Sequence, residues 1–259
     1  TVCVSSEVGC PLKCAFCASG TLQFKRSLTA EEIVDQILFF ARHEKINHVV
    51  YMGIGEPFRN YKNLIQSLKI LTDPIYLGLG ARKITVSTAG IAEKIRAFAD
   101  EPFQVNLALS LHAPTQELRA KIMPIARRYN LDELMDAVQY YLKKTNRRIS
   151  FEYVMLGEIN DREEHAHQLV TLIEKYFSAR KGSNSSKSFK HLIHVNMIPY
   201  NSTNIAGMKD STKPQMRAFR DILLKAGIPA TIRVSLGQDI DAACGQLANK
   251  AEDRIKEAF

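Results

Sequence analysis

Residues 9–20 read GCPLKCAFCASG and place Cys10, Cys14 and Cys17 within eight positions, spaced C-x3-C-x2-C. A structural zinc ion wants four Cys or His ligands. Neither a second CxxC pair nor a nearby histidine supplies the fourth, the next histidine being His43. A cluster of four irons normally takes four thiolates, so three would leave one iron open to an outside ligand, and an open iron is a reactive one. Spacing alone leaves zinc and redox-active thiols as competitors. The other two cysteines, Cys3 and Cys244, stand alone in the chain, where a buried inert thiol is the usual reading. Five is an odd count in a chain of 259 residues that is 46% hydrophobic, which argues against a secreted disulfide framework and for reduced thiols with chemical work.

Such thiols must be held by a scaffold, and its pattern recurs along the chain. Apolar runs rich in β-branched residues at 2–6, 47–53, 82–88, 104–112, 147–156 and 191–200 read as six buried strands. Segments of helical periodicity lie between them, and Thr29 followed by Glu32 reads as a capping box opening the first helix. A last helix at 212–227 and the run ATIRVS follow. The class is α/β, a parallel barrel or partial barrel with its site at the carboxyl ends of the strands. One catalytic domain over 1–259 is expected, with a cluster loop at 9–20 and a cysteine segment at 233–248. The polar stretch 178–190 reads as a solvated loop, whereas 201–214 lies on the side where barrel chemistry occurs and is the better candidate for touching substrate.

Bulk composition narrows the setting. No apolar run approaches the roughly 20 residues of a membrane span, and the first residues lack a signal peptide's basic start and apolar stretch, so a cytoplasmic protein is expected. The formal net charge of +8 favours a polyanionic partner.

The residues around the cysteines say more. CxxxCxFC, with Phe16 before the last cysteine, resembles the signature of radical S-adenosylmethionine (SAM) enzymes. Six further stretches, MGIGEPFRN (52–60), STAG (87–90), LALSLHAP (107–114), EYVMLGEIND (152–161), NMIPYN (196–201) and GQDIDAACGQL (237–247), resemble successive motifs of the RlmN and Cfr family of adenine RNA methylases. The resemblance implies a radical SAM partial (β/α)6 barrel with a C-terminal extension. It implies one 4Fe-4S cluster on Cys10, Cys14 and Cys17, whose open iron takes the amino and carboxylate groups of SAM. An electron from the cluster then cleaves SAM to methionine and a 5′-deoxyadenosyl radical. Carried over by position, Gly55 and Glu56 would hold the SAM amino group, Gly55 by allowing close backbone approach. Ser87, the run Ser110, Leu111 and His112, and Asn196 would line the ribose and carboxylate end. Singly, Ser87 could be a strand-end cap, His112 a satisfied core histidine and Asn196 a turn residue.

The same resemblance gives Cys244 and Cys3 work. Carbon 2 of adenine is an electron-poor C–H centre that cannot attack a sulfonium, so direct methyl transfer is excluded. In the family scheme one SAM methylates Cys244, and a second supplies the radical that takes hydrogen from the S-methyl group. The methylene radical adds to the purine, and Cys3 attacks the Cys244 sulfur to release methylated RNA, leaving a disulfide to be reduced. The implied partners are RNA, either 23S rRNA alone or 23S rRNA and tRNA, and an electron donor such as flavodoxin. No membrane is implied, and a monomer is expected. Pro57 and Pro199 favour carbon 2 over carbon 8, while RVSLGQDI fits neither branch. Full-length relatives carry an N-terminal accessory domain and an acidic residue sometimes assigned as proton acceptor. Thr1 lies just before the first strand, so that domain is expected to be absent and the general base is left open. Two readings from other classes are a non-catalytic iron–sulfur RNA-binding protein and a radical activase acting on another protein.

Overall fold

The computed structural model describes residues 1–179, 188–203, 207–234 and 244–246. The middle of the polar segment 178–190, part of the loop 201–214 and most of the cysteine segment 233–248, with RVSLGQDI after Val234, lie outside the described residues.

Strand β1 (Val2–Cys3) opens the chain, and a small antiparallel hairpin of β2 (Glu7–Val8) and β3 (Arg26–Ser27) brackets the cysteine loop. Then follow α1 (Ala30–Ala41), β4 (Val49–Tyr51), α2 (Tyr61–Thr72), β5 (Ile84–Thr88), α3 (Ala92–Asp100) and β6 (Asn106–Ser110). The rest is α4 (Gln116–Ile122), α5 (Leu131–Thr145), β7 (Ile149–Met155), α6 (Glu163–Phe177), β8 (Ile193–Pro199), α7 (Lys213–Lys225) and β9 (Ala230–Ile232). The sheet has seven strands in the order β1-β4-β5-β6-β7-β8-β9, and every pairing in it is parallel. It curls into a partial barrel. ATIRVS, expected to follow the barrel, joins it: Ala230 pairs with Val195 on β8.

Local chemistry sets the elements. Thr29 accepts from the Glu32 amide (3.3 Å), and the Glu32 carboxylate accepts from the Thr29 amide (2.9 Å), closing the expected capping box. Helix α1 then buries Ala30, Ile33, Val34 and Ile37, one stripe at helical spacing.

The strands bury their two faces differently. Tyr51, Val86, Leu107, Phe151 and Val195 pack under the helices in the main core. Their alternating neighbours, among them Ser87, Ser110, Glu152 and Asn196, occupy the concave face, which is polar where a closed barrel would be filled with branched apolar side chains. That polar interior is what makes room for a site. Among the described residues no helix is long and apolar enough to cross a membrane.

Candidate functional site

The cysteine loop is shaped by its own backbone and pinned from two sides. Gly9 sits at φ +78°, and a Cβ there would lie 2.1 Å from the Gln23 carbonyl oxygen, so only glycine lets the loop close over the β2–β3 hairpin. The Cys17 amide donates to Cys14 O (3.2 Å), and the Ala15 amide to Ile122 O at the end of α4 (2.9 Å). Cys10, Cys14 and Cys17 are all free thiols. Burial pushes the Cys10 thiol up to about 11 and raises Cys14 further, the neighbouring cysteines adding to both. Among the described residues no three Cys, His, Asp or Glu side chains converge closely enough to hold one metal ion. The three sulfurs on one loop instead suit a multi-iron cluster, in which each cysteine binds a different iron.

Beside this loop stand two buried carboxylates. Glu56 is 2% exposed; its oxygens accept from the Phe58 amide (3.0 Å), Thr88 Oγ1 (2.7 Å) and the Ala89 amide (2.6 Å). Burial nevertheless raises its pKa to about 7 against those hydrogen bonds. A cation placed on its remaining lone pair would reverse the shift. Glu7 accepts from the Glu56 amide (3.0 Å) and from Arg59 Nε (3.3 Å), and burial raises its pKa too. Gly55 has φ +103°, and a Cβ there would lie 2.6 Å from Glu7 Cβ. Its missing side chain therefore admits Glu7 and the turn.

A polar row crosses the concave face. Ser110 pairs in register with Glu152, Glu152 with Asn196, and Asn196 with Thr231. Ser87 Oγ lies 3.5 Å from Ser110 Oγ, and Glu152 accepts from Ser150 Oγ (2.7 Å) and Asn196 Nδ2 (2.9 Å). Asn196 thus sits in the middle of β8 rather than in a turn. His112 takes φ +58°, an uncommon conformation for a residue other than glycine. Its Nδ1 accepts from the Val154 amide (3.0 Å), and burial, with the Arg119 charge behind it, lowers its pKa to about 3. The ring is therefore neutral, with its proton on Nε2. Leu111 is fully buried: its amide donates to Glu152 O, and its carbonyl accepts from Arg119 Nε and the Ala113 amide. It supports the turn between Ser110 and His112, with its backbone groups paired inside the protein.

The outlying cysteines meet this region. The Ala18 amide, next to Cys17, donates to Gly245 O (2.9 Å), and Asn201 Nδ2 donates to Cys244 O (3.0 Å), so Cys244 is tied both to the cluster loop and to the loop after β8. Cys3 reaches solvent on the concave side of β1 but is crowded by protein; burial and then the charge of Cys244 push its thiol up to about 11, while Arg233 pulls it down. Both are free thiols.

A cavity of about 180 Å³ at the carboxyl ends of the strands joins these groups, lined by Cys10, Cys14, Cys17, Cys244, Gly55 and Glu56 together with Ser87, Ser110, His112 and Glu152. Cys3, Leu111 and Asn196 do not line it. Sequence reasoning missed Glu7, Thr88, Arg119 and Glu152. Only Glu152 carried a signal, a lone charge inside the strand ISFEYVM.

Known proteins resemble this chain in sequence and fold. Residues 4–170 match the model of the Radical SAM superfamily. A protein of Listeria welshimeri described as a probable dual-specificity RNA methyltransferase RlmN is 47% identical over 98% of this chain and 68% of its own length. One with the same description from Caldanaerobacter subterraneus is 48% identical over 96% of this chain and 69% of its own. The crystal structure of a radical SAM methyltransferase from Sphaerobacter thermophilus superposes with a TM-score of 0.87 at 41% identity, covering 94% of this chain and 69% of that one.

Proposed function

This chain belongs to the radical SAM superfamily and, within it, to the RlmN family, and from that membership we propose that it methylates carbon 2 of an adenine in 23S rRNA, with tRNA as a further substrate. The observation that carries the proposal is the approach of the cysteines to one another: Cys10, Cys14, Cys17 and Cys244 line one cavity, Cys244 is tied beside the Cys10–Cys17 loop, and Cys3 lies near enough to feel the charge of Cys244.

Cys10, Cys14 and Cys17 would hold a 4Fe-4S cluster, and Glu56 would take the amino group of SAM on its free lone pair, with Ser87, Ser110 and His112 along the rest of the cofactor. Bound together, cluster and SAM supply the power to remove a hydrogen atom from an unactivated carbon. Glu152, held by Ser150 and Asn196, keeps the polar shelf rigid. Neutral His112 offers an Nε2–H without adding a cation to the site.

Cys244 carries the methyl carbon as a thioether and, after losing one hydrogen atom from it, bonds through that carbon to the purine. Once the ring has given up an electron and a proton, the Cys3 thiolate attacks the Cys244 sulfur. The sulfur–carbon bond breaks with its electron pair going to the methylene carbon, which takes up a proton to become the methyl group. A Cys3–Cys244 disulfide remains for an external reductant, such as a flavodoxin or a dithiol system, to reopen. In the resting state the crowded Cys3 stays a thiol at neutral pH, so the pair does not react early; Arg233 favours its thiolate when it is needed. Two SAM molecules are used per turnover, and the net charge of +8 draws the RNA.

Incubation of anaerobically reconstituted protein with RNA, SAM and a reductant, followed by nucleoside mass spectrometry, tests the proposal. It expects 2-methyladenosine. Formation of 8-methyladenosine instead, or SAM cleavage with no RNA methylation, would replace it with the carbon 8 reading or with a non-methylating radical enzyme.

A further inference from the structure

Arg119, on α4, is 0% exposed. Three of its donor contacts go to backbone carbonyls: Nε to Leu111 O (3.2 Å), and Nη2 to Ala89 O (2.6 Å) and Ser110 O (3.3 Å). Nη1 is buried and has no acceptor, and among the described residues no carboxylate pairs with the guanidinium. A buried cation without a counter-ion is costly, and proteins keep one where an anion is present in the working state. Burial lowers the Arg119 pKa to about 10. The same helix grips the cysteine loop, since Ile122 O accepts the Ala15 amide, and Cys14 and Phe16 pack in the cluster of buried residues that contains Ile122 and Met123.

Resting on the reading that Cys10, Cys14 and Cys17 hold an iron–sulfur cluster, we infer that Arg119 is the fixed counter-charge of that cluster, a positioning residue that raises its reduction potential. A cluster gains negative charge when it accepts an electron. A cation held in a low-dielectric wall beside it stabilises that reduced form without ligating iron. A role limited to clamping the Leu111, Ala89 and Ser110 carbonyls would leave the potential unmoved.

The test is a potentiometric titration of the reconstituted cluster, followed by electron paramagnetic resonance, in wild type, Arg119→Lys and Arg119→Gln. The lysine variant keeps the charge and should stay near wild type, while the glutamine variant should shift to a more negative potential. Equal potentials in wild type and Arg119→Gln overturn the inference alone; a wild-type protein that takes up no iron and sulfide overturns the reading beneath it as well. Should Arg119→Gln not fold, pulsed resonance on reduced wild-type protein labelled with 15N-arginine decides. A 15N coupling that disappears in equally labelled Arg119→Lys supports the inference, and its absence from wild type overturns it.

Discussion

The two ends of the sheet make opposite use of charge. Near the amino ends a second cavity of about 520 Å³, larger than the first, is lined by Arg82, Asp100, Glu101, Lys144, Arg147 and Arg148. Most of its charges are exposed: Lys144 pairs with Asp100 at 3.1 Å, and Lys144 and Tyr140 hold the Asp100 carboxyl below its ordinary value, while half-buried Arg147 donates through Nη2 to Asn106 and leaves its Nε without a partner. At the carboxyl ends, burial instead raises Glu7, Glu56 and Glu152, lowers His112 and leaves a guanidinium without an anion. Cavity size points to the wrong end. Titratable groups held away from their ordinary state mark the right one, because such groups are unfavourable unless a ligand or a reaction uses them.

The contrast should break most completely at the cysteine loop. Cys10→Ala, Cys14→Ala or Cys17→Ala should each abolish iron and sulfide uptake and RNA methylation, measured by metal analysis and product assay; full loading of any of the three would remove the basis of the site.

Glu56→Gln should act next. Loss of one charge-assisted hydrogen bond, about 1.5–3 kcal/mol, predicts roughly 10- to 100-fold weaker SAM binding by calorimetry on loaded protein. The same residue sets a pH signature in protein free of cluster and SAM. Folded Glu56 holds its proton up to about pH 7, whereas the unfolded chain releases it near 4.5. Stability should therefore fall as pH rises through that window, with Glu7 and Glu152 adding in the same direction, and Glu56→Gln should flatten the fall in denaturant titrations.

The smallest effect belongs to the amino end. Asp100→Asn removes a carboxylate held below its ordinary value, whose stabilisation is present above the unfolded pKa of 3.8 and is lost as pH falls. Near neutral pH it should leave cluster loading and methylation at wild-type rates; a large loss of activity there would undo the distinction between the ends.

How much of this could be read from the chain depended on the range of the interaction. The Thr29–Glu32 capping box, the strand runs and the spacing of Cys10, Cys14 and Cys17 are local patterns, and each was legible. The β2–β3 hairpin was not, because strands of two residues leave no periodicity. Glu7 and Arg119 gain their meaning from partners 49 and 30 positions away, at Glu56 and Ala89, which no local window contains. Leu111 shows the converse: its place in the SLH run gave no sign that its amide and carbonyl pair with Glu152, Arg119 and Ala113.

The central claim is that Cys244 carries the methyl carbon and Cys3 frees the product, and one measurement addresses it directly: denaturing electrophoresis of Cys3→Ala and Cys244→Ala after incubation with RNA, SAM and reductant. Cys3→Ala should accumulate a covalent protein–RNA band that nuclease collapses, with S-methylene linkage to position 244 by mass spectrometry, and Cys244→Ala should give none. Release of methylated adenosine by Cys3→Ala at the wild-type rate, or an equal adduct from Cys244→Ala, would contradict the account.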